Sequence, residues 1–281
     1  MPQDISGYDV GALLYCPANA HHTVAQAVAA ERLPRPFSLA LCLEDTVRAD
    51  ALAAAEQAVE QTLHDLTDAA RQETFYRPLT FVRVRSPEQL ARLGRAYGKY
   101  RPLLTGFILP KFFIETCGAY CAVIRDLQAD GLDYFYMPVF EAPSMLPLHT
   151  RHAALAEVKA QLDALRECIL NIRVGGNDLC HVFGLRRDPG HTIYDLRPVA
   201  DVLTDLLTTF APDYLVAGPV WEYYDGPGWA EGLAQECALD RLNGFVGKTV
   251  IHPKQIPIVN QSLQVSPADY ADANSILTWD D

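Results

Sequence analysis

Basic residues are scarce in this sequence. Its 281 residues contain 23 Lys and Arg against 35 Asp and Glu, which gives a formal net charge of -12 at pH 7. A surface of that sign repels the phosphate backbone of nucleic acids, and no local run of Lys and Arg offsets it. We therefore expect no nucleic-acid partner.

Long hydrophobic runs are also lacking. No apolar stretch reaches the roughly 20 residues that a membrane-spanning helix needs. The opening segment MPQDISGYDVGALLYCP has neither the basic start nor the apolar centre of a secretory signal. We expect a cytoplasmic protein without a membrane partner. Because no Gly/Ser-rich linker divides the chain, one large domain is the first expectation.

Cysteine spacings typical of zinc sites are absent. The seven cysteines include no CxxC pair, and several lie in apolar runs as small hydrophobic residues would, which favours reduced thiols. Cys117 and Cys121 are one helical turn apart and could both reach a metal, but we do not expect them to bind one.

What the sequence does contain is an alternation of short apolar runs with segments of helical periodicity. Such runs are typical of parallel strands buried on both faces, and eight of them are predicted strands: residues 10–15, 37–43, 79–84, 103–109, 133–140, 168–174, 214–217 and 249–251. This repeat most simply closes into an α/β (β/α)8 TIM barrel, with an open doubly wound sheet as the alternative.

The barrel is predicted to be a single catalytic domain over residues 1–265. Residues 266–281 form an acidic, weakly amphipathic segment, which we expect to be a helix or tail that packs at a subunit interface or frays.

Polar residues stand at the carboxyl ends of most predicted strands, and in a TIM barrel these ends form the active face. Taken singly, Asp45, Asp178 and Lys111 are better explained as helix caps or ion-pair partners. Together, the strand-end residues converge on one mouth, where carboxylates repel each other unless a cation lies between them. The residues are Glu44, Asp45, Arg83, Arg85, Lys111, Glu141, Asp178 and His252.

Glu141 and Asp178 follow neighbouring predicted strands and are the natural pair of metal ligands. Mg²⁺ takes oxygen ligands in an octahedron and keeps several waters, so two carboxylates and a chelating substrate suffice to hold it. Arg83 or Arg85 could then grip a substrate carboxylate through two parallel hydrogen bonds. The sequence therefore predicts a magnesium site that binds a small anionic substrate.

Six segments occur in the order, and at about the spacing, of the motifs of a known superfamily. They are LCLEDTV, FVRVRS, GFILPKF, MPVFEA, VGGNDL and GKTVIHPKQI. Through them the chain resembles the citrate lyase β-subunit-like, or HpcH/HpaI aldolase, superfamily from about residue 15 to residue 261.

The resemblance implies a TIM barrel that binds Mg²⁺, with Mn²⁺ as the alternative ion, and cleaves or forms a carbon–carbon bond through an enolate. By position, it implies that Glu141 and Asp178 are the metal ligands and that Arg83 contacts the substrate carboxylate and the enolate oxygen. Glu44 and Asp45 resemble the family's acidic pair, which holds the metal's waters or orients Arg83. The predicted catalytic residues are therefore Arg83, Glu44 and Asp45.

The predicted substrate-binding residues extend this set around the barrel mouth. Backbone N–H groups of the two consecutive glycines could approach an anion closely. The full set is Arg83, Arg85, Lys111, Gly175, Gly176, Asn177 and His252.

The sequence departs from the family pattern at several positions. Arg85 stands where the family usually has Asn, Asn177 where it has Glu and Thr46 where it has Ala, which predicts a more anionic substrate than usual. Gln26 replaces a basic residue in the segment that helps to bind the phosphates of coenzyme A (CoA), which puts CoA use in doubt. The chain is similar to an outlying branch of TIM-barrel carbon–carbon bond lyases.

The predicted function is that of a Mg²⁺-dependent carbon–carbon bond lyase or aldolase for a small 2-oxo or 3-hydroxy acid, or its thioester. Two alternatives stay open: a CoA-thioester lyase or thioesterase of the malyl-CoA or citryl-CoA type, and a non-catalytic anion-binding barrel. The general base is Glu44, a metal-bound water or His252. Since relatives in the superfamily form trimers or hexamers, we expect a homo-oligomer.

Overall fold

The structure is a computed structural model that describes residues 5–279, and only the backbone of residues 20–22. All eight predicted strands are present and parallel. They are β1 (Ala12–Pro17), β2 (Ser38–Cys42), β3 (Thr80–Arg83), β4 (Leu104–Leu109), β5 (Phe135–Phe140), β6 (Ile172–Val174), β7 (Val216–Ala217) and β8 (Lys248–Val250).

Helices follow the strands and cover the outside of the sheet. They are α1 (His21–Ala29), α2 (Leu52–Gln72), α3 (Pro87–Ala96), α4 (Cys117–Ala129), α5 (Leu148–Asp163), α6 (Gly176–Val182), α7 (Arg197–Phe210), α8 (Trp229–Asn243), α9 (Ile256–Ser262) and α10 (Pro267–Leu277). The start of α3 shows how the sequence sets a boundary. Ser86 accepts a hydrogen bond from the N–H of Gln89, and Pro87 occupies the first helical position, where its missing N–H costs nothing.

The strands form one sheet in the order β7-β6-β5-β4-β3-β2-β1-β8. A bridge between Gly218, directly after β7, and Lys248 of β8 joins the two ends of this order. The predicted single-domain TIM barrel is thereby confirmed, and the open doubly wound sheet is not formed.

Strand β6 is much shorter than its apolar run predicted. Residues 168–174 were expected to be extended, but Cys168 ends a 3-10 turn and β6 begins only at Ile172. Ile169 makes an isolated bridge with Tyr136, so pairing starts, stops and resumes within one apolar run. A run of buried residues reports burial, and it does not report which backbone groups are paired.

The inside of the barrel is filled by alternate residues of the strands, as the two-residue period of a strand requires. Phe81 of β3 and Val139 of β5 belong to this interior cluster. Two positions further along the chain, on the same inward face, come Arg83 and Glu141. The alternation that fills the barrel with apolar side chains therefore ends on charged ones at the carboxyl-terminal mouth.

Helix α10 carries no buried residue. Large apolar side chains on and after it are exposed, including Ile276, Leu277 and Trp279. The division into residues 1–265 and 266–281, like the homo-oligomer, stays a prediction. Across residues 5–279, we find no helix that is both long and apolar enough to cross a membrane.

A buried ionic cluster lies where the sheet closes between the very short β7 and β8. The ammonium of Lys248 lies 2.9 Å from Glu236 Oε1 and 2.6 Å from Asp240 Oδ2. Arg187 Nη1 lies 2.5 Å from Glu236 Oε2, and the Tyr194 hydroxyl donates to Asp240 Oδ1 at 2.7 Å. Because the charges compensate each other, the cluster can remain in a water-free environment.

We predict that Lys248→Met destabilises the protein by about 3–5 kcal/mol, because Asp240 is then left buried without a cation and Glu236 keeps only Arg187 as its partner. Urea unfolding followed by circular dichroism measures this loss. The matched control is Lys99→Met, since Lys99 pairs with Glu60 at 2.7 Å on the exposed surface and should change the unfolding midpoint little. Equal effects of the two variants would show that the buried cluster does not hold the closure.

Candidate active site

A cavity of about 270 Å³ opens at the carboxyl-terminal mouth of the barrel. Its walls come from the ends of β1, β2, β3, β5, β6 and β8 and from the first turn of α6. The lining residues are Tyr15, Cys42, Asp45, Thr46, Arg83, Val139, Glu141, Arg173, Val174, Gly175, Asn177, Asp178, Val220, Thr249 and Ile251.

Arg83, the last residue of β3, holds three carboxylates. Its Nη2 lies 2.9 Å from Glu44 Oε2 and 2.8 Å from Glu141 Oε1, and its Nη1 lies 3.2 Å from Asp45 Oδ2. The arginine is 6% exposed, and its guanidinium carbon lies 5.6 Å from the centre of the Tyr15 ring. The acidic residues that follow β2 and β5 are therefore joined through one cation from β3.

Glu141, directly after β5, is 2% exposed and is fixed from two sides. Its Oε1 also accepts a hydrogen bond of 3.1 Å from the backbone N–H of Lys111, a residue held at a φ of 49°. On the other side lies Gly175, where an added Cβ would lie only 2.1 Å from Glu141 Oε2. A residue with a side chain at position 175 would therefore displace the Glu141 carboxylate, and glycine avoids this clash.

The carboxylates of Glu141 and Asp178 are neighbours at the cavity wall. They lie close enough to share a hydrogen bond when one of them is protonated. Burial raises the pKa of Glu141, Arg83 opposes that rise, and the charge of Asp178 reinforces it, to a net value of about 8. A carboxylate that resists ionisation in this way gains from a nearby cation, since the cation favours the charged form.

Glu44 and Asp45 differ in their surroundings although they are adjacent in sequence. Glu44 is 8% exposed, and its Oε1 accepts a hydrogen bond of 2.9 Å from Lys111 Nζ. Asp45 is half exposed and lines the cavity. Although partial burial acts against its ionisation, a hydrogen bond with Glu44 and the charges of Arg83 and Lys111 lower the pKa of Asp45.

Arg85 does not line the cavity, in contrast to the predicted substrate contact. Its guanidinium donates to the backbone carbonyl oxygens of Leu43, Glu44 and Val47 in the loop after β2. Consecutive odd positions of β3 would place Arg83 and Arg85 on one face, but the strand ends at Arg83, so Arg85 turns toward the neighbouring loop. We assign it to holding the loop that carries Glu44 and Asp45.

Other predicted contact residues are also placed outside the cavity lining. The amine of Lys111 binds Glu44. The ring of His252 lies 4.6 Å from that of Tyr224 in a parallel stack, and its Nδ1 accepts the N–H of Lys254 at 3.2 Å. Gly176 packs where an added Cβ would lie 2.6 Å from Ile193. Of the predicted set, Arg83, Gly175 and Asn177 do line the cavity, together with Asp45, Glu141 and Asp178.

Three polar lining residues were missed in the sequence: Tyr15, Arg173 and Thr249. All three are one or two residues inside a strand end instead of just after it. The signal that could have found them is the two-residue period, which places Tyr15 on the same face of β1 as the interior residue Leu13. An arginine within the apolar run NIRVGG was the clearest such signal.

Residues 4–281 match the family described as C–C bond lyase of the TIM-barrel fold. Because that match covers nearly the whole sequence, the chain belongs to this family of carbon–carbon bond lyases, and the predicted family and enzyme class are confirmed. Nothing in the match assigns the residues of the site, which stay predictions.

Solved structures of citrate lyase β subunits and related proteins share the fold. The citrate lyase beta subunit of M. tuberculosis complexed with oxaloacetate and magnesium is 22% identical, over 92% of this chain and 100% of that chain, with a TM-score of 0.62. CitE of Mycobacterium tuberculosis in complex with magnesium, acetoacetate and coenzyme A is 23% identical, over 95% and 85% of the two chains, with a TM-score of 0.63. RipC of Yersinia pestis is 17% identical, over 94% and 100%, with a TM-score of 0.62.

Curated relatives include the (3S)-malyl-CoA thioesterases of two strains of Cereibacter sphaeroides. Each is 35% identical over 101 residues, which are 36% of this chain. The matched stretch spans 33% of the length of those relatives, so it is a similarity over part of both chains.

We predict that Gly175→Ala destabilises the protein by about 1–3 kcal/mol, as overpacking does, because its Cβ overlaps the Glu141 carboxylate. Thermal unfolding measures the effect. The control is Gly118→Ala in α4, where an added Cβ would meet Gln161 at an ordinary 3.5 Å and the melting temperature should stay the same or rise slightly. A Gly175→Ala protein as stable as the parent would mean that Glu141 has room to move.

Proposed function

We propose that this protein is a Mg²⁺-dependent carbon–carbon bond lyase that acts on a small 2-oxo or 3-hydroxy acid through an enolate. The observation that carries the proposal is the pair of carboxylates of Glu141 and Asp178, which face one cavity beside the buried guanidinium of Arg83. Acidic oxygens, a cation site and a neutralising arginine in one pocket are the groups that enolate chemistry needs.

The donor set fits Mg²⁺ better than Zn²⁺ or Cu²⁺, which favour imidazole and thiolate ligands. Within residues 5–279, leaving aside the side chains of 20–22, no three His, Cys, Asp or Glu side chains come together as a complete metal site. Glu141 and Asp178 supply two carboxylates, and Mg²⁺ is commonly held by one or two carboxylates, waters and substrate oxygens. Mn²⁺, which accepts the same oxygen ligands, is the alternative ion.

Cleavage of the bond between the α-carbon and the β-hydroxy carbon leaves an electron pair on the α-carbon. The pair delocalises onto the neighbouring carbonyl oxygen, which makes an enolate. When bound, Mg²⁺ supplies positive charge beside that oxygen. Both terminal nitrogens of Arg83 already bind carboxylates. Its Nε has no hydrogen-bond acceptor among the described residues, so Nε is the donor that can bind a substrate oxygen.

The other charged residues keep Arg83 in place and adjust the local charge. Glu44 joins Arg83 to Lys111, while Asp45 reaches the cavity. Of the three candidates for the general base, His252 stacks on Tyr224, and neither His252 nor Glu44 lines the cavity. Glu44 pairs with Arg83, which does line it, so Glu44 and a water molecule remain for removal of the β-hydroxyl proton.

The similar solved structures support this proposal. Those of the M. tuberculosis proteins are described as complexes with magnesium and oxaloacetate, and with magnesium and pyruvate. Both acids are small 2-oxo acids of the proposed substrate class.

A CoA thioester is the second candidate substrate. The similarity to (3S)-malyl-CoA thioesterases and a related complex that contains coenzyme A favour it. Gln26, in place of the basic residue expected in the phosphate-binding segment, argues against it. A homo-oligomeric state and a cytoplasmic location stay predictions.

We predict that Mg²⁺ raises the melting temperature of chelator-treated protein by about 3–8 °C when it is present well above its dissociation constant. A Glu141→Gln/Asp178→Asn double variant should lose this response, because neutral amides are weak ligands for Mg²⁺. Differential scanning fluorimetry with Mg²⁺, Mn²⁺ and Ca²⁺ measures the shift.

The matched control removes two exposed carboxylates elsewhere, as Glu115→Gln/Glu167→Gln, and should respond as the parent does. If the Glu141/Asp178 variant still gains as much as the parent, the proposed metal ligands are the wrong ones.

We also predict that the protein with Mg²⁺ exchanges the methyl protons of pyruvate for deuterium in D₂O faster than Mg²⁺ alone does, because enolate formation removes one of those protons. Proton NMR of the methyl signal measures the rate. Arg83→Lys should lose most of the exchange, since the point charge of lysine cannot hold Glu44, Asp45 and Glu141 together as the planar fork does.

Acetyl-CoA in the same assay separates the two candidate substrates. Exchange of its methyl protons without exchange of pyruvate favours the thioester enzyme. If neither compound nor any other small 2-oxo acid exchanges, the proposed lyase chemistry is contradicted and the anion-binding barrel is favoured.

A further inference from the structure

Arg173 is a buried cation that the proposed chemistry does not use. It lies in the middle of β6, between Val139 of β5 and Ala217 of β7 in register. It is 2% exposed, and it lines the same cavity as Arg83, Glu141 and Asp178.

The guanidinium of Arg173 has few partners. Its Nη2 donates to Thr249 Oγ1 at 2.6 Å, whereas Nε and Nη1 have no hydrogen-bond acceptor anywhere in the described residues. No carboxylate within residues 5–279 comes within ion-pair distance of it, in contrast to the three carboxylates around Arg83. A charge taken out of water without a partner is strongly unfavourable, so the missing partner is expected to be an anion that enters the cavity.

The remaining neighbours of Arg173 do not supply that anion. The hydroxyl of Tyr15 lies near the guanidinium, but burial raises the pKa of Tyr15, so the phenol stays neutral. Thr249 is also neutral and fixes one edge of the guanidinium. Tyr15 and Thr249 therefore position Arg173 and leave its charge uncompensated.

We propose that Arg173 is a specificity-determining residue that binds a second carboxylate of the substrate, so that the preferred substrate is a small free dicarboxylic acid. The inference rests on the proposed function, because the first carboxylate is taken to bind beside Glu141, Asp178 and Arg83. Arg83 and Arg173 both line the cavity of about 270 Å³. We therefore expect a short acid in this cavity to contact both guanidinium groups. A substrate with one carboxylate leaves Arg173 buried and unpaired.

The test compares acids that differ only in the second carboxylate. The probes are malate against 2-hydroxybutyrate and 2-oxoglutarate against 2-oxopentanoate, each titrated calorimetrically into the full-length protein with Mg²⁺. We expect at least one dicarboxylate to bind about 10- to 100-fold more tightly than its matched monocarboxylate, as the loss of one buried charge pair implies. Arg173→Met should remove this preference and leave monocarboxylate binding within about threefold.

The control is Arg101→Met, which removes the same charge from a cavity at the opposite, amino-terminal mouth and should keep the preference. Thermal unfolding without ligand supplies a second readout. Removal of an unpaired buried charge should leave the melting temperature of Arg173→Met equal to the parent value or higher, whereas an arginine with a purely structural role would lower it.

The inference is overturned if the parent binds both members of each pair equally, if it binds none of the four acids, or if Arg173→Met retains the preference. Failure of this inference can be distinguished from failure of the proposed function. Stabilisation by Mg²⁺ and exchange of pyruvate protons need no second carboxylate, so they can succeed while the role of Arg173 fails.

Discussion

The guanidinium of Arg83 holds together acidic side chains that come from separate strands. Without it, Glu44, Asp45 and Glu141 would place three carboxylates within a few ångströms in a poorly solvated mouth, where like charges repel strongly. With it, one buried cation from β3 fixes the loop after β2 and the end of β5 relative to each other. The geometry of the cavity depends on this one cluster.

The barrel contains a second buried ionic cluster with a different role. Lys248, Arg187, Glu236 and Asp240 neutralise each other's charges between β8, α8 and the loop before α7. No lining residue of the cavity belongs to it. A closed network of this kind stabilises the junction of two short strands, while the network around Arg83 and Glu141 stays incomplete on the side that faces the cavity. An incomplete network next to a cavity is where a ligand gains most by binding.

The three arginines of the mouth show why residue type alone did not assign their roles. Arg83 and Arg85 are both in the motif FVRVRS, yet Arg83 faces the cavity and Arg85 binds carbonyl oxygens of a loop. Arg173 lies inside an apolar run and was not selected from the sequence, yet it lines the cavity with two unpaired nitrogens. The expectation of an unusually anionic substrate rested on Arg85, Asn177 and Thr46, whereas in the structure the unpaired Arg173 is a stronger reason for expecting an anion.

The sequence by itself determined the number of strands and the barrel, because burial and the two-residue period are written in local patterns, and the resemblance of six motifs indicated the family. Glu141, Asp178, Arg83 and Asp45 were selected because they lie at or just after the predicted strand ends. Only the tertiary structure decided which of these polar groups share one cavity, that Arg85 and His252 turn away from it, and that Arg173 faces it unpaired. Those outcomes depend on where each strand stops pairing and on which side chains from distant strands neutralise one another, and neither is a property of any local stretch of sequence.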